Sequence, residues 1–422
     1  MHGKFDKVFD GLVLGLVTFL THLTLYVCYL EGLTPKRSCN YGSAQSQLSV
    51  LFFILVVIFL FLRMRRLERN YWDGWRRNWV MGAFVTVSVL SLFWSAYLPA
   101  TIYRALLLLL VTFIAAYAGM RFSVKGLVNF VAVVAGIFAL VSLFTAVAFP
   151  RVGIMTNFPY EGLWRGVFWH KIYLGAMMAL GYISYLVILF SPSGEYNRRQ
   201  KIFSAFLLAL GVILAVLSDS ASGLVVFAIQ SALFVLVVLW LKWGHLVSRR
   251  IYFIMLGAAS FVALLIVTNL EFIFGLFNRS ANMTGRIPMW LHVLEAYAAE
   301  RLVLGYGFGT FWLQPGINQK VQEVVGWGYP VKVADNGYLD ILLNLGVVGL
   351  VLLLIMLVIG VIRALRVALA GRDLIHFFPL FVLVHIIFIN ISLSYFMEME
   401  SFVWFLFVAV LFMRSERGPV PS

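Results

Sequence analysis

Unbroken apolar runs of about twenty residues recur along nearly the whole chain, and no other feature restricts the fold as severely. Inside a bilayer no water reaches the backbone, so every N–H and C=O must be bonded within the structure, and only helices or closed barrels achieve this. The runs show no period-two alternation, which leaves helices. Composition agrees: 62% of the residues are hydrophobic, 12% are charged and the mean hydropathy is +0.96, whereas a soluble domain is about a quarter charged. The expected fold is therefore all-α, a polytopic integral membrane protein forming a single membrane domain over residues 1–422.

Twelve membrane helices are predicted, over 8–30, 47–63, 79–98, 104–120, 126–148, 171–190, 202–217, 221–241, 251–274, 337–362, 376–393 and 401–413. The spacers at Pro99–Tyr103 and Ser218–Ser220 are short enough to be kinks inside longer segments. The first run exceeds a signal-peptide core and lacks a small-residue cleavage site, so it reads as a retained helix. Cys28 and Cys39 are too few for a disulfide framework, metal cluster or redox motif.

Basic residues orient this scheme. With the N-terminus inside, the inner segments hold Lys4 and Lys7, Arg63 to Arg77, Arg121 and Lys125, Arg198 to Lys201, Lys242 to Arg250, Arg363 to Arg372, and Arg414 and Arg417, so both ends are cytoplasmic. The net charge of +14 is thus mostly topological, and no nucleic-acid partner is expected. The basic residues left outside concentrate in loops 149–171 and 275–336. They suit either an anionic ligand or membrane-lipid headgroups.

The longest polar interval, 275–336, sits between expected helices 9 and 10 and contains three notable segments. In the first, Ile287, Trp290, Leu291, Leu294 and Ala298 share one face at helical spacing, predicting an amphipathic surface helix over 287–301 with Pro288 in its first turn. That places Arg286 at a helix N-terminus, with Arg279 a few residues upstream, where free amides and guanidinium forks suit phosphate oxygens. The second, Gly305-Tyr306-Gly307-Phe308-Gly309, lacks the flanking elements of a nucleotide site and reads as a tight turn pressing aromatics against the membrane surface. Trp312 and Trp327 suit either interfacial anchoring or sugar stacking. In the third, Asp335 is either a helix N-cap or an acid/base group. Asn336, Asp340 and Asn344 recur every four residues and line one face of the following helix. Loop 149–171 adds Arg165, His170 and Lys171, and Glu398 and Glu400 stand at the start of the last helix as ion-pair partners or acid/base groups.

These segments together resemble one family. Phe277-Asn278-Arg279, Thr284-Gly285-Arg286 with Trp290, Leu304 to Trp312, Asp335-Asn336-Gly337-Tyr338-Leu339-Asp340 and Leu345-Gly346-Val347-Val348-Gly349 are similar to the signature of the O-antigen ligase and polymerase superfamily. Trp164-Arg165-Gly166-Val167-Phe168, His170-Lys171, Leu174-Gly175 and Glu400-Ser401 resemble its exopolysaccharide polymerase branch, and the similarity spans 150–405. The chain departs from the pattern where family members carry His-Asn and it has Asp335-Asn336, and where they carry a basic residue and it has Ala221 within Leu217 to Ser222.

The resemblance implies a GT-C-like glycosyltransferase of the bacterial inner membrane with a large periplasmic loop. It implies transfer of a glycan from an undecaprenyl-diphosphate carrier, without metal, cofactor or nucleotide. Membrane lipid and other polysaccharide assembly and export proteins are further expected partners. In this reading Arg286, Arg279, Arg165 and Lys171 bind the diphosphate. Asp335, His170 or Glu400 takes the acceptor proton, and Asn336, Asp340, Trp312 and Trp327 contact glycan. Polymerisation of repeat units is the leading expectation. A ligase acting on a lipid A core or other acceptor, a polysaccharide or lipid transporter, and a non-catalytic scaffold are the alternatives.

Overall fold

The computed structural model describes residues 68–156, 160–192, 194–243, 285–326, 331–371, 373–398 and 401–413. The expected segments 8–30, 47–63 and 251–274 lie outside these residues, as do Cys28, Cys39, Arg279, Trp327 and Glu400. Within them the chain is helical: α1 (Glu68–Arg77), α2 (Trp79–Leu90), α3 (Leu98–Arg121), α4 (Val124–Ala148), α5 (Lys171–Phe190), α6 (Arg198–Ser218), α7 (Ala221–Trp243), α8 (Arg286–Val293), α9 (Ile317–Val325), α10 (Gly337–Gly371), α11 (Phe378–Ile389) and α12 (Phe402–Phe412). Six of these, α3 to α7 and α10, are long and apolar enough to cross a membrane, and α2, α11 and α12 are shorter apolar helices.

Local chemistry sets the boundaries. Ser123 starts α4 by accepting from the Gly126 amide at 3.1 Å. Asn197 and Gln200 form a reciprocal capping box on α6, each bond 2.9 Å. At Ser218–Ser220 the chain breaks as expected: Asp219 turns left-handed at φ 42° and ends α6. Pro99–Tyr103 is not a spacer. Pro99 lies in the first turn of α3, where the missing N–H removes no helical bond, and the interruption falls upstream at Trp94–Tyr97.

Small residues let the helices approach closely. A Cβ on Gly223 of α7 would lie 2.9 Å from Gly175 Cα on α5, so these two helices meet backbone to backbone. Helix α5 also packs on α4 and α6, and α12 lies against α3. The core is strongly aromatic, with Phe84, Phe378, Phe381, Phe396, Trp404 and Phe407 fully buried.

Helix α10 is broken at Gly346, whose φ of 65° and ψ of −166° leave the helical region. The break frees backbone groups on both sides, and the 302–307 segment satisfies them. Tyr306 N donates to Leu343 O at 3.0 Å and Gly307 N to Asn344 O at 2.9 Å. In the other direction Val347 N donates to Leu302 O at 2.8 Å and Val348 N to Val303 O at 3.3 Å. Irregular backbone survives among apolar helices only when it is bonded in this way. The glycine-rich turn therefore plugs a broken helix rather than lying against a membrane surface: Phe308 is fully buried, its amide donates to Ser91 Oγ at 2.9 Å, and Arg104 donates to Gly309 O.

The amphipathic helix is present but differs in length and face. It is α-helical only to Val293 and continues as a π-helical turn over Leu294–Ala298. A π turn shifts the register by one residue. Met289, Val293 and Ala298 are buried against Phe311, Val321 and Leu343, while Leu291 and Leu294 are exposed.

Candidate functional site

The residues that position the site begin with Ala334, which is held from two sides. Trp290 Nε1, one turn along α8 from Arg286, donates to Ala334 O at 2.7 Å. The Ala334 amide donates to Asp340 Oδ2 at 3.1 Å. Asp335 follows in the left-handed region at φ 49°, a conformation Asp tolerates better than most residues. Such backbone strain persists where neighbours over-determine it. Asn336 then caps α10, its Oδ1 accepting from the Tyr338 and Leu339 amides at 3.1 Å each. Asn336 therefore does the capping, which leaves the Asp335 carboxylate for another partner.

That partner is Arg286. Its Nη2 lies 2.9 Å from Asp335 Oδ2, with the two side chains 14% and 25% exposed, so the pair is shielded yet reachable. Arg286 is the first residue of α8, and the preceding Gly285 offers no side chain to cap the first-turn amides. Burial raises the Asp335 pKa, and the Arg286 guanidinium opposes that rise.

Three further sequence candidates converge here. His170 is held near pKa 4 by burial first, then by the positive charges of Lys171, Arg286 and Arg165, which places all four in one electrostatic neighbourhood. Its Nδ1 accepts from the Ile172 amide at 3.4 Å, capping α5, so the neutral ring carries its proton on Nε2. A ring in that state donates a hydrogen bond outward. Lys171 is buried, with Nζ 2.7 Å from Asp219 O and 3.5 Å from Asp219 Oδ2. Arg165 Nε donates to Val152 O at 2.7 Å, stitching loop 149–171 to itself while its charge faces His170. The polar stripe on α10 is bonded inward: Asp340 Oδ1 accepts from Trp312 Nε1 at 2.7 Å, its Oδ2 accepts from Ser394, and Asn344 Oδ1 accepts from the Phe311 amide at 3.1 Å.

Sequence reasoning missed Tyr173 and the partners of Lys171 and Glu398. Asp219 proves to be the partner of Lys171, within the segment where the family pattern carries a basic residue. Tyr173, on α5, donates to Glu398 and stacks edge-on against Tyr395 at 5.3 Å. Tyr173 and Glu398 are 225 positions apart, so no local pattern announces their pairing. Among the described residues, no group of three His, Cys, Asp or Glu side chains is placed to hold a metal.

A pH prediction follows from His170. Unfolded histidine titrates near 6.5 and the folded group near 4, so the folded protein binds fewer protons between those values. Stability is expected to fall as pH drops from about 6.5 to about 4, by at most about 1.4 kcal/mol per pH unit, and to be flat with respect to this group above that window. Melting temperature measured against pH should show a shallower acid slope in His170→Gln.

The fold and site define a multi-pass helical membrane protein with a shielded Arg–Asp pair set among cationic groups at one end of its bundle. Residues 205–354, from α6 into α10, match the family model described as O-antigen ligase, a match consistent with the O-antigen ligase/polymerase superfamily. That family comprises membrane glycan ligases and polymerases acting on lipid-linked glycans. No curated protein matches the chain. The matched segment contains Arg286 and Asp335, while Arg165, His170, Lys171 and Glu398 lie outside it.

Proposed function

We propose that this protein is a glycosyltransferase of the bacterial inner membrane that polymerises undecaprenyl-diphosphate-linked repeat units of an exopolysaccharide or O-antigen on the periplasmic face. The observation that carries the reading is the Arg286–Asp335 pair, 2.9 Å apart, at the start of α8 and beside His170 and Lys171. In this reading twelve helices span the membrane with both termini in the cytoplasm, supported by the uninterrupted alternation of basic segments.

The chemistry follows from the charges. The acceptor hydroxyl attacks the anomeric carbon, the bond to the diphosphate oxygen breaks, and the electron pair leaves with the diphosphate. Arg286 stabilises the charge that grows there, with Lys171 and Arg165 adding to the positive potential and His170 Nε2–H donating. The protein's own cations suffice for this neutralisation, so the reading requires no metal. The acceptor proton passes to Asp335. A diphosphate arriving on Arg286 draws the guanidinium away and brings negative charge of its own, and both changes raise the Asp335 pKa. Donor binding thus makes Asp335 a better base. The acid limb of the transfer rate is expected above the ordinary carboxylate value of about 3.9, and a limb at or below that value would remove Asp335 from the role.

The test uses purified protein in detergent, the lipid-diphosphate repeat unit of the native source, and gel-resolved products. A ladder of lengths supports polymerisation. Single transfer of preformed glycan to a supplied lipid acceptor would make the protein a ligase, and no transfer with either acceptor would overturn the glycosyltransferase reading.

A further inference from the structure

A cavity of about 190 Å³ opens between α3, the first turns of α10 and segment 394–398 and is not used by the diphosphate chemistry. Its walls include Arg104, Trp312, Lys332, Asp340, Asn344 and Glu398. Two cations face two carboxylates, so the lining is close to neutral while dense in hydrogen-bonding groups. One wall is the indole of Trp312, fixed by its bond to Asp340 at 2.7 Å. An aromatic face among paired charged and amide groups suits a neutral polyhydroxylated ring, whose C–H faces pack on the aromatic and whose hydroxyls bond the rim. A free diphosphate would gain little here, because the carboxylates cancel the cations.

The cavity is joined to the candidate site on two sides. Glu398 lines it and accepts from Tyr173, which stands on α5 within the first turn after His170 and Lys171. Asp340 lines it and holds the Ala334 amide, the residue immediately before Asp335. A sugar in the cavity is therefore linked through Asp340 and Ala334 to the backbone that carries Asp335.

We infer that this cavity is the acceptor subsite: it takes one neutral sugar residue at the growing or receiving end, with Trp312 as the stacking wall and Glu398 and Lys332 as hydrogen-bonding groups that aim its hydroxyl at Asp335. Glu398 is a positioning and binding residue in this scheme, and Asp335 receives the proton. The inference rests on the proposed transferase function, yet its test separates the two. Lys332 is exposed at the cavity rim and Glu398 is partly exposed, so both tolerate substitution without loss of core packing.

The experiment measures two binding equilibria on the full-length protein in detergent: the lipid-free repeat-unit oligosaccharide of the native source, and farnesyl diphosphate as a probe of the anionic site. Lys332→Met and Glu398→Gln are expected to weaken oligosaccharide binding at least tenfold and leave farnesyl diphosphate binding unchanged. Arg286→Ala is expected to do the reverse. In transfer assays the two cavity variants should raise the acceptor KM with little change in kcat. The acceptor assignment is overturned if wild type does not bind the oligosaccharide, if neither cavity variant weakens it, or if Arg286→Ala weakens it equally. Failure of farnesyl diphosphate to bind, or binding indifferent to Arg286→Ala, would instead overturn the diphosphate reading of the basic site.

Discussion

Replacing Arg286 with alanine is expected to lower glycan transfer by about 10²–10³-fold, the loss found when one preorganised donor to developing negative charge is removed. Two features of the structure make the effect large. The guanidinium is shielded, at 14% exposure, so its charge is weakly screened, and Asp335 at 2.9 Å fixes its orientation before substrate arrives. Arg286→Lys should recover only part of the rate, because an ammonium keeps the charge and loses the planar fork that matches two phosphate oxygens. The two residues should also behave as one unit. Without Arg286 the Asp335 carboxylate loses the partner that orients it from 2.9 Å away. Arg286→Ala combined with Asp335→Ala should then cost little more than Arg286→Ala alone, whereas independent roles would give multiplying losses. Initial rates for the wild type, two single variants and the double variant decide between these outcomes.

The second large effect is structural. Gly346→Val is expected to abolish recovery of folded, monodisperse protein. The φ of 65° with ψ of −166° lies in a region occupied almost only by glycine, at a cost of about 1–3 kcal/mol for other residues. A Cβ there would also stand 2.5 Å from the Leu304 amide nitrogen, closer than a real Cβ contact, so backbone would have to shift. The larger penalty is indirect. If α10 straightens to relieve the strain, the bonds joining it to Leu302, Val303, Tyr306 and Gly307 are lost, and each backbone group left unsatisfied in an apolar interior costs several kcal/mol. Gly360→Ala in the same helix is the control. Its Cβ would meet only the flexible ends of Leu411 and Leu383, at 3.2 Å and beyond, so that variant should fold with nearly unchanged stability. Size-exclusion profiles and thermal melts of the two variants in one detergent make the comparison, and a well-folded Gly346→Val would show that the break in α10 is dispensable.

Loss of either feature acts on the same assembly. The break in α10 lets segment 302–313 enter the bundle, and that segment carries Trp312 to Asp340 and Phe311 to Asn344. Asp340 in turn holds Ala334, and Ala334 is also bound by Trp290 of α8. The Arg286–Asp335 pair is thus the end of a chain of bonds that begins at a glycine in the middle of an apolar helix.

Much of this was legible without coordinates. The apolar runs dictate helices because backbone groups in hydrocarbon have no other partner, and those within the described residues are helical, six of them long enough to cross a membrane. The break at Ser218–Ser220 and the start of a helix at Arg286 are local events, written in short polar residues and in Gly285. Tertiary structure alone decided the pairings: Arg286 with Asp335, Lys171 with Asp219, Tyr173 with Glu398. Each joins residues brought together by packing of different helices, and a charged residue's partner is set by where its element ends in space rather than by its neighbours in the chain. Gly346 shows the same limit within one helix. Glycine in an apolar run is compatible with an unbroken helix, and it became a break here because a distant loop supplies hydrogen-bond partners that the apolar surroundings cannot.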